Sequence, residues 1–180
     1  MKESGILIAI ACCWVSFAFA PCSVCAQTKD TWEKAQSPRA FVEGFYRWYV
    51  PAAQKVDGAS HSDFAIQQKG RAFSPELRRL LKEDSEAQAK CSDIIGLDMD
   101  PFLMSADEES YEVGRIVNEG GSYKAEIYGV RSGKRLATSI LIAEFSRAGH
   151  WFFVNFHYPD HTDLLTILKR PRPACSMPIS

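Results

Sequence analysis

The sequence predicts an α+β fold: N-terminal helices packed on a curved four-stranded antiparallel meander, with a short C-terminal helix. Three observations carry this. Apolar residues recur at helical spacing in two segments before Cys91, and from Tyr111 onward they alternate with period two. Short Gly-containing turns separate the alternating runs. Helices followed by antiparallel strands place the helices on one face of one sheet. With 46% hydrophobic and 24% charged residues in a chain of 180, the composition is that of one globular domain. A formal charge of −1 implies no strongly basic face, so nucleic acid is not an expected partner.

The N-terminus stands apart. The run "GILIAIACCWVSFAFA" after "MKES" has the length of a signal-peptide core and is short of the roughly 20 residues of a membrane span. In "SVCAQ", Val24 and Ala26 occupy the −3 and −1 positions of a cleavage site before Gln27. Residues 1–26 are therefore expected to be a signal peptide, and the protein to be exported to the periplasm or beyond, with no membrane span in the mature chain. Residues 27–36 are polar and are expected to form a flexible lead-in to a single domain over 37–170.

The first helix begins at "SPRAFVEGFYRWYV", with Ser37 as N-cap and Pro38 in the first turn. Phe41, Phe45, Trp48 and Tyr49 make its apolar stripe, and Pro51 is expected to end it. Residues 54–70 are polar and predict a loop with a short helical turn. "FSPELRRLLKEDSEAQAKC" repeats the Ser-Pro start at Ser74 and Pro75, with Leu77, Leu80 and Leu81 inward and Gly96 as a left-handed stop. Four strands follow: "YEVGRIV", "YKAEIYGV", "LATSILIAEF" and "WFFVNFHY". In "DHTDLLTILKR", Asp160 or Thr162 would cap a closing helix with Leu164, Leu165 and Leu168 facing inward. The tail over 171–180 holds too much proline for regular structure.

Cleavage would leave Cys91 and Cys175 as the only cysteines. In an oxidising compartment the two predict one disulfide, tethering the tail to the end of the second long helix. Its chain-entropy contribution is about 4–5 kcal/mol at most.

Two helices followed by a long meander resemble the nuclear transport factor 2-like superfamily of α+β cones. The segments "FVEGFYRWYV", "DMDPFLMSADE" and "WFFVNFHYP" followed by "DLLTIL" resemble, more narrowly, the exported bacterial family designated domain of unknown function 3828. The superfamily hosts isomerases, dehydratases and binding modules, so the resemblance implies a fold and an exported location but no reaction.

The acid-rich stretch from Asp98 to Glu109 invites a calcium reading, with Asp98, Asp100 and Glu109 at loop positions 1, 3 and 12. Phe102 at position 5 and Leu103 at position 6 defeat it, because an oxygen ligand and a glycine are required there. Instead, Asp98 and Asp100 are expected to cap backbone amides around Pro101, Phe102 to Met104 to plug one end of the cone, and Ser105 or Asp107 to cap a turn. One of these carboxylates at the cone mouth is a candidate binding group or base, with Tyr111 or His157 as partner. Strand alternation puts Phe152, Val154, Phe156 and Tyr158 in the core. Trp151, Phe153, Asn155 and His157 fall on the opposite face, a candidate ligand surface or homodimer face. Pro159 separates His157 from His161, so no zinc site is expected.

No nucleophile elbow or phosphate loop is present. The candidate binding residues are thus Asp98, Asp100, Tyr111, Trp151, Asn155 and His157, with no catalytic residue assigned and no cofactor or metal expected. The function expected is binding of a protein partner, as an immunity or inhibitor-like module would, or of a small ligand. The alternative is a small enzyme doing general acid–base chemistry on a hydrophobic substrate in the cone pocket.

Overall fold

The computed structural model describes residues 32–56, 60–104 and 108–175. The expected signal peptide, the Ala26–Gln27 cleavage point, and Ser105 and Asp107 lie outside these residues. Both Ser-Pro starts are capped as the sequence predicts. Ser37 Oγ accepts from Ala40 N at 3.2 Å and Ser74 Oγ from Leu77 N at 3.1 Å, opening α1 (Pro38–Ala53) and α3 (Pro75–Gln88). Helix α1 runs through Pro51, which lies so near its end that only one ladder bond is lost. Between them stands α2 (His61–Lys69), a full helix where a loop with a short turn was expected. Its buried residues are Ser62 and Ala65, too small and polar to print an apolar stripe on the sequence.

Strands β1 (Ser110–Glu119), β2 (Ser122–Arg131), β3 (Lys134–Arg135), β4 (Leu141–Ala148) and β5 (His150–His157) form one open antiparallel sheet. Its order is β1-β2-β4-β5, with the two-residue β3 paired beside β2. Gly120 and Gly121, with φ of 65° and 98°, make the tight β1–β2 turn. Helix α4 (Leu164–Lys169) follows β5, and its cap is Asp163 rather than Asp160 or Thr162. Asp160 instead accepts from Thr162 N and Oγ1, shaping the preceding turn.

Regular alternation fails in β5. Glu144 pairs with Asn155 while Phe145 pairs with Phe153, so Val154 is an extra, bulged residue. A bulge shifts the phase of every side chain beyond it. Trp151 and Phe153 therefore enter the core before the bulge, and Phe156 and Tyr158 after it. The expected inward placement of Phe152 and Val154 is corrected accordingly: both are only half-buried.

Aromatic rings fill the space between helices and sheet. Phe41, Phe45, Tyr49, Phe102, Phe153 and Phe156 are fully buried. Phe153 has its centroid 4.7 Å from Phe41 and 4.8 Å from Phe45, and Phe102 lies 5.0 Å from Phe156. Each such ring contributes about 1.5–3 kcal/mol by burial. Part of the expected lead-in joins them. Trp32, in a 3-10 turn at Trp32–Lys34, is buried against Phe41 and Phe45. A Cβ on Gly44 would stand 2.2 Å from that of Trp32, so the tryptophan needs glycine there.

The long edge strand β1 is blunted by Arg39, which donates to Val113 O at 2.8 Å and Gly114 O at 2.6 Å beside a second bulge. At the other end of the chain, Cys175 forms a disulfide with Cys91, with Cα atoms 5.7 Å apart and a sequence separation of 84. Arg172 adds a contact from the same tail, its Nε 3.3 Å from Asp84 Oδ1. Among the described residues no helix is long and apolar enough to cross a membrane.

Candidate functional site

The acid-rich joint is held chiefly by tyrosines. Pro101, Phe102 and Leu103 are buried, and buried carbonyls need donors. Tyr158 OH donates to Pro101 O at 3.1 Å, Tyr46 OH to Phe102 O at 3.2 Å and Tyr111 OH to Leu103 O at 3.4 Å. A fourth hydroxyl, of Tyr49, donates to Asp100 Oδ2 at 2.9 Å, while Asp100 Oδ1 accepts from Phe102 N at 2.9 Å. Helix α1, strand β1 and the end of β5 thus converge on four consecutive residues. Burial, with the nearby Asp100 charge second, pushes the Tyr46, Tyr49 and Tyr158 phenols well up, so they remain donors.

Burial also raises the Asp100 carboxyl above the ordinary aspartate range. The Phe102 amide and the Tyr49 hydroxyl oppose that shift without cancelling it. Beside it is a cavity of about 80 Å³ bounded by Val50, His61, Asp100, Leu103, Glu108 and Tyr111. Buried Glu108 accepts from Arg131 through Oε1 at 3.1 Å, and its Oε2 has no hydrogen-bond partner among the described residues. Organic-ligand pockets run from about 300 to 1,000 Å³. This one has room for two or three waters, at roughly 30 Å³ each.

A larger cleft, of about 770 Å³, opens on the other side of Asp100 and His61, between α2, α3 and residues 94–100. Two α3 side chains one turn apart build its floor. Asp84 Oδ2 accepts from Leu97 N at 2.9 Å, and Gln88 Oε1 accepts from Ile95 N at 2.9 Å. Gly96 lets this loop lie on the helix: a Cβ there would be 2.5 Å from Asp84 Oδ2. The glycine serves close approach, not the left-handed helix stop expected of it. Across the cleft Ser85 donates to Asp63, fixing α2 to α3. The lining includes Asp63, Asp84, Asp98 and Asp100 with no lysine or arginine, together with Phe64, Leu97 and Met99. Ile94 on its rim is 70% exposed, the one large apolar side chain exposed among the described residues.

The six candidate residues fall in four places. Asp98, Asp100 and Tyr111 gather at the joint, where Asp100 caps an amide as expected and Asp98 is an exposed wall of the cleft without a hydrogen bond among the described residues. Trp151 is core, its indole N–H donating to Ala35 O at 2.8 Å. Asn155 is buried under α4: it donates to Asp163 Oδ1 at 2.8 Å and accepts from Leu165 N at 3.0 Å. His157 lies on the outer sheet face, its Nε2 2.8 Å from Glu144 Oε2. The shared ligand face expected for Trp151, Asn155 and His157 does not form: the bulge turns Trp151 into the core, and of the two residues beyond it Asn155 is covered by α4. His61, Asp63 and Asp84, all in the cleft, had no sequence signal beyond the polarity of their segments.

The sulfurs of Cys91 and Cys175 lie near Asp93, but they are bonded to each other and so not free to hold a metal. No family model, curated protein or solved structure matches the chain. Fold and site define its class: an α+β domain with helices on one face of an open antiparallel sheet, tied by one disulfide, with an acidic cleft between two of its helices.

Proposed function

We propose that this protein is an exported, periplasmic binding domain of the nuclear transport factor 2-like type that works without catalysis and takes its ligand in the α2–α3 cleft. One observation carries the reading: a cleft of ligand size is lined by four aspartates, of which Asp84 is paired with Arg172, and by no lysine or arginine, beneath an exposed apolar rim at Ile94. That chemistry suits a partner with a basic and apolar segment. The disulfide is compatible with export to an oxidising compartment. A homodimer through the outer sheet face would have to bury the Arg115–Glu126 and Lys124–Glu119 ion pairs, at a desolvation cost. The cleft is the better-suited surface.

Affinity capture from an envelope extract tests this. Wild-type protein is expected to retain a partner that the Ile94→Ser and Asp98→Lys variants release, while Lys124→Gln on the sheet face keeps it. Equal capture by all four proteins would remove the cleft from consideration. The enzymatic alternative has one supporting observation, the raised carboxyl of Asp100 beside Tyr111 and His61. Turnover of any substrate that vanishes in a folded Asp100→Asn protein would replace the binding reading with it.

A further inference from the structure

A third opening lies where the chain enters the fold, with a volume of about 470 Å³, and it shares no lining residue with the acidic cleft. Lys34, Arg71, Arg147, His150 and Trp151 line it, with Glu33 as its one acid. The cations come from three separate places and are brought together by backbone contacts. Lys34 ends the turn anchored by Trp32 and by the Trp151 indole bond to Ala35. Arg71 sits in the 3-10 turn Gly70–Ala72, whose carbonyl at Arg71 lies 3.1 Å from His150 Nε2. Arg147 is next to last in β4, before the tight turn at Gly149, where φ is 77°. Its guanidinium lies over the Trp151 ring at 5.2 Å, an attraction that limits its freedom.

Several exposed bases elsewhere sit beside acids, as in Arg39–Glu43, Arg79–Glu83, Lys82–Glu86 and Lys169–Glu76. Lys34, Arg71 and Arg147 form no ion pair among the described residues, nor does Glu33. Three positive charges against one negative leave about two in excess, which is the charge a phosphate monoester carries near neutral pH, about −1.5 to −2. Two guanidinium forks and one ammonium match its several acceptor oxygens.

We propose that this opening is a binding site for a phosphate-bearing anion. The phosphate group can belong to a soluble ester or to an anionic lipid headgroup, and two probes separate the sources. Inorganic phosphate is titrated calorimetrically at constant ionic strength, and phosphatidylglycerol vesicles are compared with phosphatidylcholine vesicles by flotation. Saturable binding of phosphate alone assigns a soluble source. Flotation with phosphatidylglycerol that phosphate competes away assigns a headgroup. In either case Arg71→Gln and Arg147→Gln should each weaken binding on the order of tenfold, the usual effect of losing a charge-assisted hydrogen bond. Lys134→Gln, in the remote strand β3, should leave it unchanged. Thermal midpoints establish that the variants fold, and Arg71→Gln carries the test if loss of the Trp151 contact unfolds Arg147→Gln. Absence of saturable binding to both probes overturns the proposal. So does wild-type binding by folded Arg71→Gln, or equal loss in Lys134→Gln.

Discussion

Asp100 separates a structural role for the acid-rich joint from a chemical one. Replacing it with alanine strands two buried donors, the Tyr49 hydroxyl and the Phe102 amide, both held at 2.9 Å in the native fold. At about 1–3 kcal/mol for each unsatisfied group, Asp100→Ala should cost roughly 2–6 kcal/mol. Asparagine keeps an oxygen for the Phe102 amide and presents its NH₂ to a hydroxyl that can accept, so Asp100→Asn should lose no more than about 1 kcal/mol at low pH. The pH dependence then fixes the sign. The folded carboxyl titrates above its unfolded value, so the protonated form is the one the fold favours. Its stabilisation is complete below the unfolded pKa and is lost as pH rises through the folded one. Asp100→Asn cannot undergo that loss, and its stability should gain on the wild type as pH rises from about 4 toward neutrality. Urea unfolding at closely spaced pH values, followed by tryptophan fluorescence with the disulfide intact, measures both differences. The reasoning is refuted if the asparagine variant falls further behind as pH rises, or if the alanine variant stays within about 0.5 kcal/mol of wild type.

Other consequences are quicker to check. Reduced and oxidised protein should differ in mass by two hydrogens, and Cys91→Ser with Cys175→Ser should lower stability by up to about 4–5 kcal/mol in chemical denaturation. Gly96→Ala places a methyl 2.5 Å from Asp84 Oδ2, and a cost of about 1–3 kcal/mol is expected by thermal unfolding. Asp163 behaves oppositely to Asp100. Burial would raise it, but hydrogen bonds from Asn155 and Thr166 together outweigh burial and hold it below the usual range. Its stabilisation is therefore present above the ordinary aspartate pKa and lost as pH falls through the depressed value. Asn155→Ala should shrink that acid-side loss in the same urea titrations.

The legible parts of the fold are those encoded by neighbours in sequence. Ser37-Pro38 and Ser74-Pro75 announce their helices because cap and first turn lie within four residues of each other. The glycines of "NEGGS" announce a hairpin because positive φ is needed there. Cys91 and Cys175 announced their bridge by being the only pair outside the expected signal peptide. The features that escaped depend on distant partners. Val154 carries no mark of a bulge, yet its extra residue brings Trp151 and Phe153 into the core in place of Phe152. Helix α2 buries a serine and an alanine, so periodicity is silent about it. Four tyrosines meet at Asp100–Leu103 only after α1, β1 and β5 are in place. The candidate site divides along the same line: Asp98 and Asp100 stood out by local acid density, whereas Asp84 joined them through a loop folding back onto α3. Trp151, Asn155 and His157 were grouped by an alternation that the bulge interrupts.

Hydrogen exchange on the complex with the captured partner tests the central claim most directly. Binding in the cleft predicts slowed exchange at residues 60–67 and 94–100, with the outer residues of β2 and β4 unchanged. Protection confined to the sheet face or to the β1 edge, with the α2–α3 cleft exchanging as in the free protein, would contradict it.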